Sequence, residues 1–185
     1  MKLEVIKTVD VDEALHQRLF TWLYQGFGAD SDKFAYAVAD WHVLAWEGDL
    51  LVGHVDITDR IGLVGGQELR LGGIGGVLTL KEWRKRGIAT AAVQQADSFL
   101  LEELAVPFGL LVCAPALVHF YNKLGWQTVD GPLICDQPAS FQPGPEQVIA
   151  SGPTHKVPLE GPIMVLPCRQ EIWPAGLIDL CGFPW

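Results

Sequence analysis

Apolar and charged positions alternate from Lys2 to Thr8, with Leu3 and Val5 set between charged side chains. This period of two predicts a strand. Asp10 or Asp12 is placed to cap a helix reaching about Tyr24, with Ala14, Leu15, Leu19 and Leu23 on one face. Gly26 to Asp32 predicts a loop. Trp41 to Trp46 and Leu50 to Thr58 are rich in β-forming residues, and Glu47-Gly48-Asp49 between them predicts a hairpin. Gln67 to Leu80 predicts a further strand that carries Gly72, Gly73, Gly75 and Gly76. Glycine inside a strand marks a bulge or the close approach of a ligand.

The pattern then lengthens. Ala89, Ala92, Val93, Ala96, Phe99, Leu100 and Leu104 recur at helical spacing and predict a helix over Arg86 to Leu104. Pro107 to Cys113 is wholly apolar, as a strand at the centre of a sheet is. Pro115 to Leu124 predicts a helix, opened by proline and closed by Gly125. Seven prolines between Gly131 and Pro162 predict a long irregular connection. Ile163 to Leu166 predicts a last strand, and Asp179 to Trp185 an extended tail. The order is strand, helix, antiparallel strands, then strand-helix-strand-helix-strand. It predicts one α+β domain over residues 1–185, a mixed sheet with helices on both faces.

Composition narrows the function classes. The chain is 49% hydrophobic and 19% charged, which a globular core requires. No apolar run approaches the ~20 residues of a membrane helix, and Glu4 and Asp10 interrupt any signal-peptide core. The expectation is a cytoplasmic protein with no membrane partner. Cys113, Cys135, Cys168 and Cys181 are too scattered for a disulfide framework or a zinc knuckle, so no metal is expected. A formal net charge of -9 argues against nucleic acid and is compatible with a cationic partner.

One segment carries chemistry. Val77-Leu78-Thr79-Leu80 runs as a strand into the basic turn Lys81 to Arg86, and a helix begins at Gly87-Ile88-Ala89. Free N–H groups at that helix start, with Arg84 and Arg86 beside them, suit a pyrophosphate. Gly87 and Ala89 lack the bulk that would keep phosphates from the main chain. Arg84-Lys85-Arg86-Gly87-Ile88-Ala89 resembles the R-x-x-G-x-[GA] acyl-CoA signature of the GNAT N-acetyltransferase superfamily. Gly76 to Leu80 resembles that family's fourth strand, and Phe120-Tyr121-Asn122-Lys123-Leu124-Gly125-Trp126 its later aromatic element.

The resemblance implies a V-shaped split between the fourth and fifth strands, with acetyl-CoA as co-substrate and no metal. Pantetheine would pair with the main chain of Val77 and Thr79 beside Leu78. The N–H near Val77 would hold the developing oxyanion. The phosphates would meet Arg84, Lys85, Arg86, Gly87, Ile88 and Ala89. Tyr121 would protonate the departing thiolate, since a phenol of pKa ~10 is protonated at neutral pH. The base is left open. Many relatives place a glutamate where this chain has Gly75, and Glu68, His54 and Asp56 are the other candidates.

A narrower likeness is to aminoglycoside 2'-N-acetyltransferases. It rests on Gly26 to Asp30, on Asp40 to Trp46 with Gly53-His54, on Glu160 to Pro167, and on Trp185. It implies an acceptor site built from Asp30, Gly75, Glu160 and Trp185, with a terminal carboxylate among its acids. Two positions depart from that branch: Gly75 replaces its glutamate and Phe183 stands where it tends to carry an acid. Trp173 to Asp179 and Pro107-Phe108 are similar to nodulation-type N-acyltransferases. The shared implication is a small amine or amino-sugar acceptor and a possible homodimer. A longer acyl donor, or a CoA-binding protein without chemistry, are the alternatives.

Overall fold

The computed structural model describes residues 1–27, 34–142 and 149–185. Its first strand, β1 (Lys2–Lys7), leads to α1 (Glu13–Phe27). Asp12 Oδ1 accepts from Leu15 N at 2.8 Å, so the second of the two expected caps is used. Strands β2 (Trp41–Glu47), β3 (Leu50–Val64) and β4 (Gln67–Thr79) follow as an antiparallel series. β3 is longer than the hairpin signal indicated. Leu50 to Ile57 pairs with β2, and Leu63 and Val64 pair with β10 (Ile178–Asp179).

Helix α2 covers Ile88–Ser98, and the apolar period continues through a π-helical segment, Phe99–Glu103. There Leu104 N donates to Phe99 O at 3.0 Å, one residue beyond the α-helical step. β5 (Phe108–Val112), α3 (Val118–Asn122) and β6 (Gln127–Val129) complete this half. The predicted helix over Pro115 to Leu124 is thus a 3-10 turn at Pro115–Leu117 joined to the short α3. The strand β6 was not anticipated.

The proline-rich stretch is the principal correction. It forms β7 (Leu133–Gln142) and β8 (Ile149–Pro158), an antiparallel pair. Pro138 sits where the register shifts, and Pro153 and Pro158 lie on β8, the last strand in the sheet order, where a missing donor costs no ladder bond to a further strand. β9 (Ile163–Pro167) then inserts between β5 and β6. The order is β6-β9-β5-β4-β3-β10-β7-β8, with β1 and β2 on the near half of β3.

Both faces of the sheet are covered. Val43, Val55, Ile57 and Ile74 pack with Ala92, Val93, Ala96 and Leu100 of α2. Leu44, one residue on from Val43 and so on the opposite face, packs with Leu15, Leu19 and Trp22 of α1. The fold is the expected α+β arrangement.

Candidate active site

β4 and β5 run parallel through three pairs only: Leu71 with Phe108, Gly72 with Gly109 and Gly73 with Leu110. Beyond Gly73 the two strands part, although β4 continues to Thr79 and β5 to Val112. The cause is visible on the other edge of β4. From His54 to Asp56 β3 advances two residues while its partners, Leu78 to Gly75, span three. The extra residue makes a bulge, and Gly76 there has φ +56°, a left-handed conformation that costs a side-chain-bearing residue. The split therefore opens at a bend in β4, and Val77 follows that bend.

At the far end of β4 lies the basic turn. Arg84, Lys85, Arg86 and Gly87 are all exposed. Lys85 (φ +64°) and Gly87 (φ +79°) are both left-handed, a backbone form that turns successive N–H groups outward. The first helical bond of α2 is donated by Ala91 to Gly87 O at 2.9 Å. The N–H groups of Ile88, Ala89 and Thr90 precede it and form the positive end of the helix. A Cβ added at Gly87 would meet nothing within 4 Å, so space lies open before the turn. Arg84 Nε donates to Thr79 O at 3.2 Å, and Arg86 lies over the Trp83 ring at 4.5 Å. These contacts hold both guanidinium groups beside the turn.

Tyr121 is buried, at 5% exposure, in the cluster against which Val77 packs. Burial raises its phenol above the ordinary range, and the neighbouring Cys113 and Asp97 add to the shift. Asp97 is itself pushed up to about 7 by burial, opposed by the Trp126 indole N–H at 3.4 Å.

The other face of the split is closed by the end of the chain. A Cβ at Gly73 would fall inside the Trp185 indole, and one at Gly75 would come within 2.7 Å of the Trp185 carbonyl carbon. Trp185 Nε1 donates to Leu110 O at 3.2 Å, so the indole lies across Gly73 and Leu110, the last pair before the strands part. Arg60 Nη1 donates to Phe183 O at 2.6 Å, and Ala37 N donates to Pro184 O at 2.7 Å. The expected extended tail is a docked segment, and it brings Trp185 and Gly75 together. Glu160 is exposed, in a turn whose Gly161 abuts Val112 and Cys113 at the end of β5. Asp30 lies outside the described residues.

One residue escaped the sequence, His42, which joins two of the candidate bases. His42, His54 and Asp56 converge on the face that carries Gly75, and Asp56 pairs directly with Gly75. His42 Nδ1 is 2.8 Å from Asp56 Oδ1 and 3.1 Å from His54 Nε2, which is 3.2 Å from the same carboxylate oxygen. Burial disfavours charge on both His54 and Asp56. Their mutual attraction outweighs it, so His54 titrates above and Asp56 well below the ordinary range.

Residues 10–129 match the acetyltransferase (GNAT) domain family. The aminoglycoside 2'-N-acetyltransferase of Mycolicibacterium fortuitum is 26% identical over 145 residues, 77% of this chain and 73% of that protein. Among solved structures, the GNAT family N-acetyltransferase YhbS of Escherichia coli, in complex with CoA, superposes with a TM-score of 0.58 at 18% identity. The match covers 98% of this chain and 94% of that one. A GCN5-related N-acetyltransferase from Kribbella flavida gives 0.51 at 21% identity over 69% of this chain; the match spans 34% of that longer protein. The structural likenesses establish the fold, and the domain match establishes the lineage. The chain is an acyltransferase and belongs to the GNAT acetyltransferase family.

Proposed function

We propose that this chain moves the acetyl group of acetyl-CoA to a primary amine of a small polyamine or amino-sugar, aminoglycosides foremost. The observation that carries the donor half is the exposed turn Arg84 to Ala89 at the end of a strand that parts from its neighbour. The pyrophosphate meets Arg84, Lys85, Arg86 and the N–H groups of Gly87, Ile88 and Ala89. Pantetheine lies along Val77, Leu78 and Thr79, which have no strand partner in β5. The M. fortuitum relative supports the aminoglycoside reading.

The amine attacks the thioester carbon, and the N–H at Val77 stabilises the oxygen that becomes negative. The carbon–sulfur bond breaks, Tyr121, held protonated by burial, gives its proton to the thiolate, and the proton that the attacking nitrogen sheds on becoming an amide restores the phenol. The ammonium proton leaves to solvent before attack. Products are the N-acetyl amine and free CoA. On the acceptor side, the Trp185 indole provides aromatic surface above Gly73 while its main chain lies against Gly75, Glu160 stands beside the end of β5, and Asp30 adds a carboxylate.

Release of free CoA thiol from acetyl-CoA, with and without a panel of 2'-amino aminoglycosides and simple polyamines, tests this. Thiol release that depends on one of these amines supports it. Tight acetyl-CoA binding with no release for any amine overturns the acceptor assignment. Release only from longer acyl-CoA overturns the donor.

A further inference from the structure

His42, His54 and Asp56 take no part in the transfer described above, and their hydrogen bonds leave a definite imbalance. Thr8 spends its one hydroxyl hydrogen on Ala39 O. At its 3.1 Å contact with His42 Nε2 it therefore accepts, and the ring nitrogen donates. His54 Nδ1 lies 3.0 Å from Gly76 O, a carbonyl that can only accept, so this nitrogen donates too. Each neutral ring has then spent its single hydrogen outward. His42 Nδ1 and His54 Nε2 face one another at 3.1 Å as bare lone pairs, with Asp56 Oδ1 at 2.8 and 3.2 Å.

Three electron-rich atoms at such separations repel unless positive charge lies among them. One proton satisfies one edge of the triangle. One metal ion satisfies all three. A circle through atoms with these separations has a radius of about 1.8 Å, so a point about 1.1 Å off their plane is about 2.1 Å from each. That is the distance zinc takes to imidazole nitrogen and carboxylate oxygen. Two histidines and one carboxylate suit borderline divalent ions, and a second ring nitrogen donating to a backbone carbonyl is the usual support for a histidine ligand.

We propose that His42 Nδ1, His54 Nε2 and Asp56 Oδ1 bind one divalent transition-metal ion of the zinc type. The site joins β2 to β3 and, through the His54–Gly76 hydrogen bond, is anchored to the bulge that opens the split. Asp56, 18% exposed at its side chain where His54 is fully buried, marks the side from which an ion enters. Three protein ligands leave a coordination position for water.

The test is metal binding by the whole chain, stripped with chelator and titrated with Zn²⁺ by calorimetry and with Co²⁺ by absorption. The expected result is one ion per chain and visible cobalt d–d bands. His54→Gln and Asp56→Asn should each weaken Zn²⁺ binding about 100-fold or more. Circular dichroism checks that the variants fold. If His54→Gln does not fold, Asp56→Asn and the cobalt spectrum of the unaltered protein decide the matter. No saturable Zn²⁺ binding by the unaltered chain, or equal affinity in the folded variants, overturns the proposal. So do thiolate-to-cobalt bands, which would place the ion on a cysteine.

Discussion

At Asp97, burial and ionisation oppose each other. Oδ1 finds no partner among the described residues, and Oδ2 has only the Trp126 N–H at 3.4 Å. Its folded pKa of about 7 lies above the unfolded value of 3.8, so folding favours the protonated form. That contribution is complete below pH ~4 and is lost as pH rises through ~7. Asp97→Asn should therefore stabilise the fold by about 2 kcal/mol at pH 8, around half of what such a shift implies for a group with no access to water, and change little at pH 4. Urea midpoints of the two proteins at both pH values measure this; a variant less stable at pH 8 sinks it. In the proposed reaction, Tyr121 is the catalytic counterpart. Tyr121→Phe removes the proton for the thiolate and keeps the packing, so kcat should fall about 100-fold with KM for acetyl-CoA nearly unchanged. A fall under threefold would mean that water delivers the proton. Tyr121 and the basic turn entered the candidate site from the sequence because their signatures are contiguous. His42 did not. A two-residue turn at Gly48-Asp49 would pair His42 with Val55, on the wrong face. The irregularity at Ala45/Trp46 shifts the register by one and sets His42 opposite Asp56.

Among the elements, the bend in β4 determines the site. Its glycines could be read as a bulge or a ligand's approach, and the structure uses both kinds of freedom. Gly76 supplies the left-handed bulge, and Gly73 and Gly75 make room for Trp185. Gly76→Ala should cost about 1–2 kcal/mol of stability. It should also lower kcat more than it raises KM for acetyl-CoA, because the bulge precedes Val77 and leaves Arg84 to Ala89 in place. Chemical denaturation and steady-state kinetics together measure both; an intact kcat would detach the bulge from oxyanion stabilisation. The β7–β8 hairpin was the least legible element. Proline density suggests irregular chain, yet prolines at a register shift and on the last strand of the order interrupt little. Which strand occupies that place is a property of the assembled sheet, absent from any local window.

Over the whole molecule, charge is divided. Four of the 13 lysines and arginines, Lys81, Arg84, Lys85 and Arg86, belong to the basic turn, while the chain as a whole carries -9. In the proposed reaction, a polyanionic donor thus meets a local patch of opposite sign on a protein that otherwise repels it. A polyamine is attracted by the remainder. This separates the two substrates before either is bound, since long-range attraction acts on encounter rates. The attraction is screened over about 10 Å at 0.1 M salt. Raising ionic strength should therefore lower kcat/KM several-fold for an acceptor with several amines, and much less for one with a single amine. Once bound, the acceptor is held by short contacts, so kcat should hold steady for both. Initial rates across a salt series, at saturating acetyl-CoA, separate these cases. Equal salt slopes for the two acceptors would mean that the acidic surface keeps the protein in solution and does not gather its substrate.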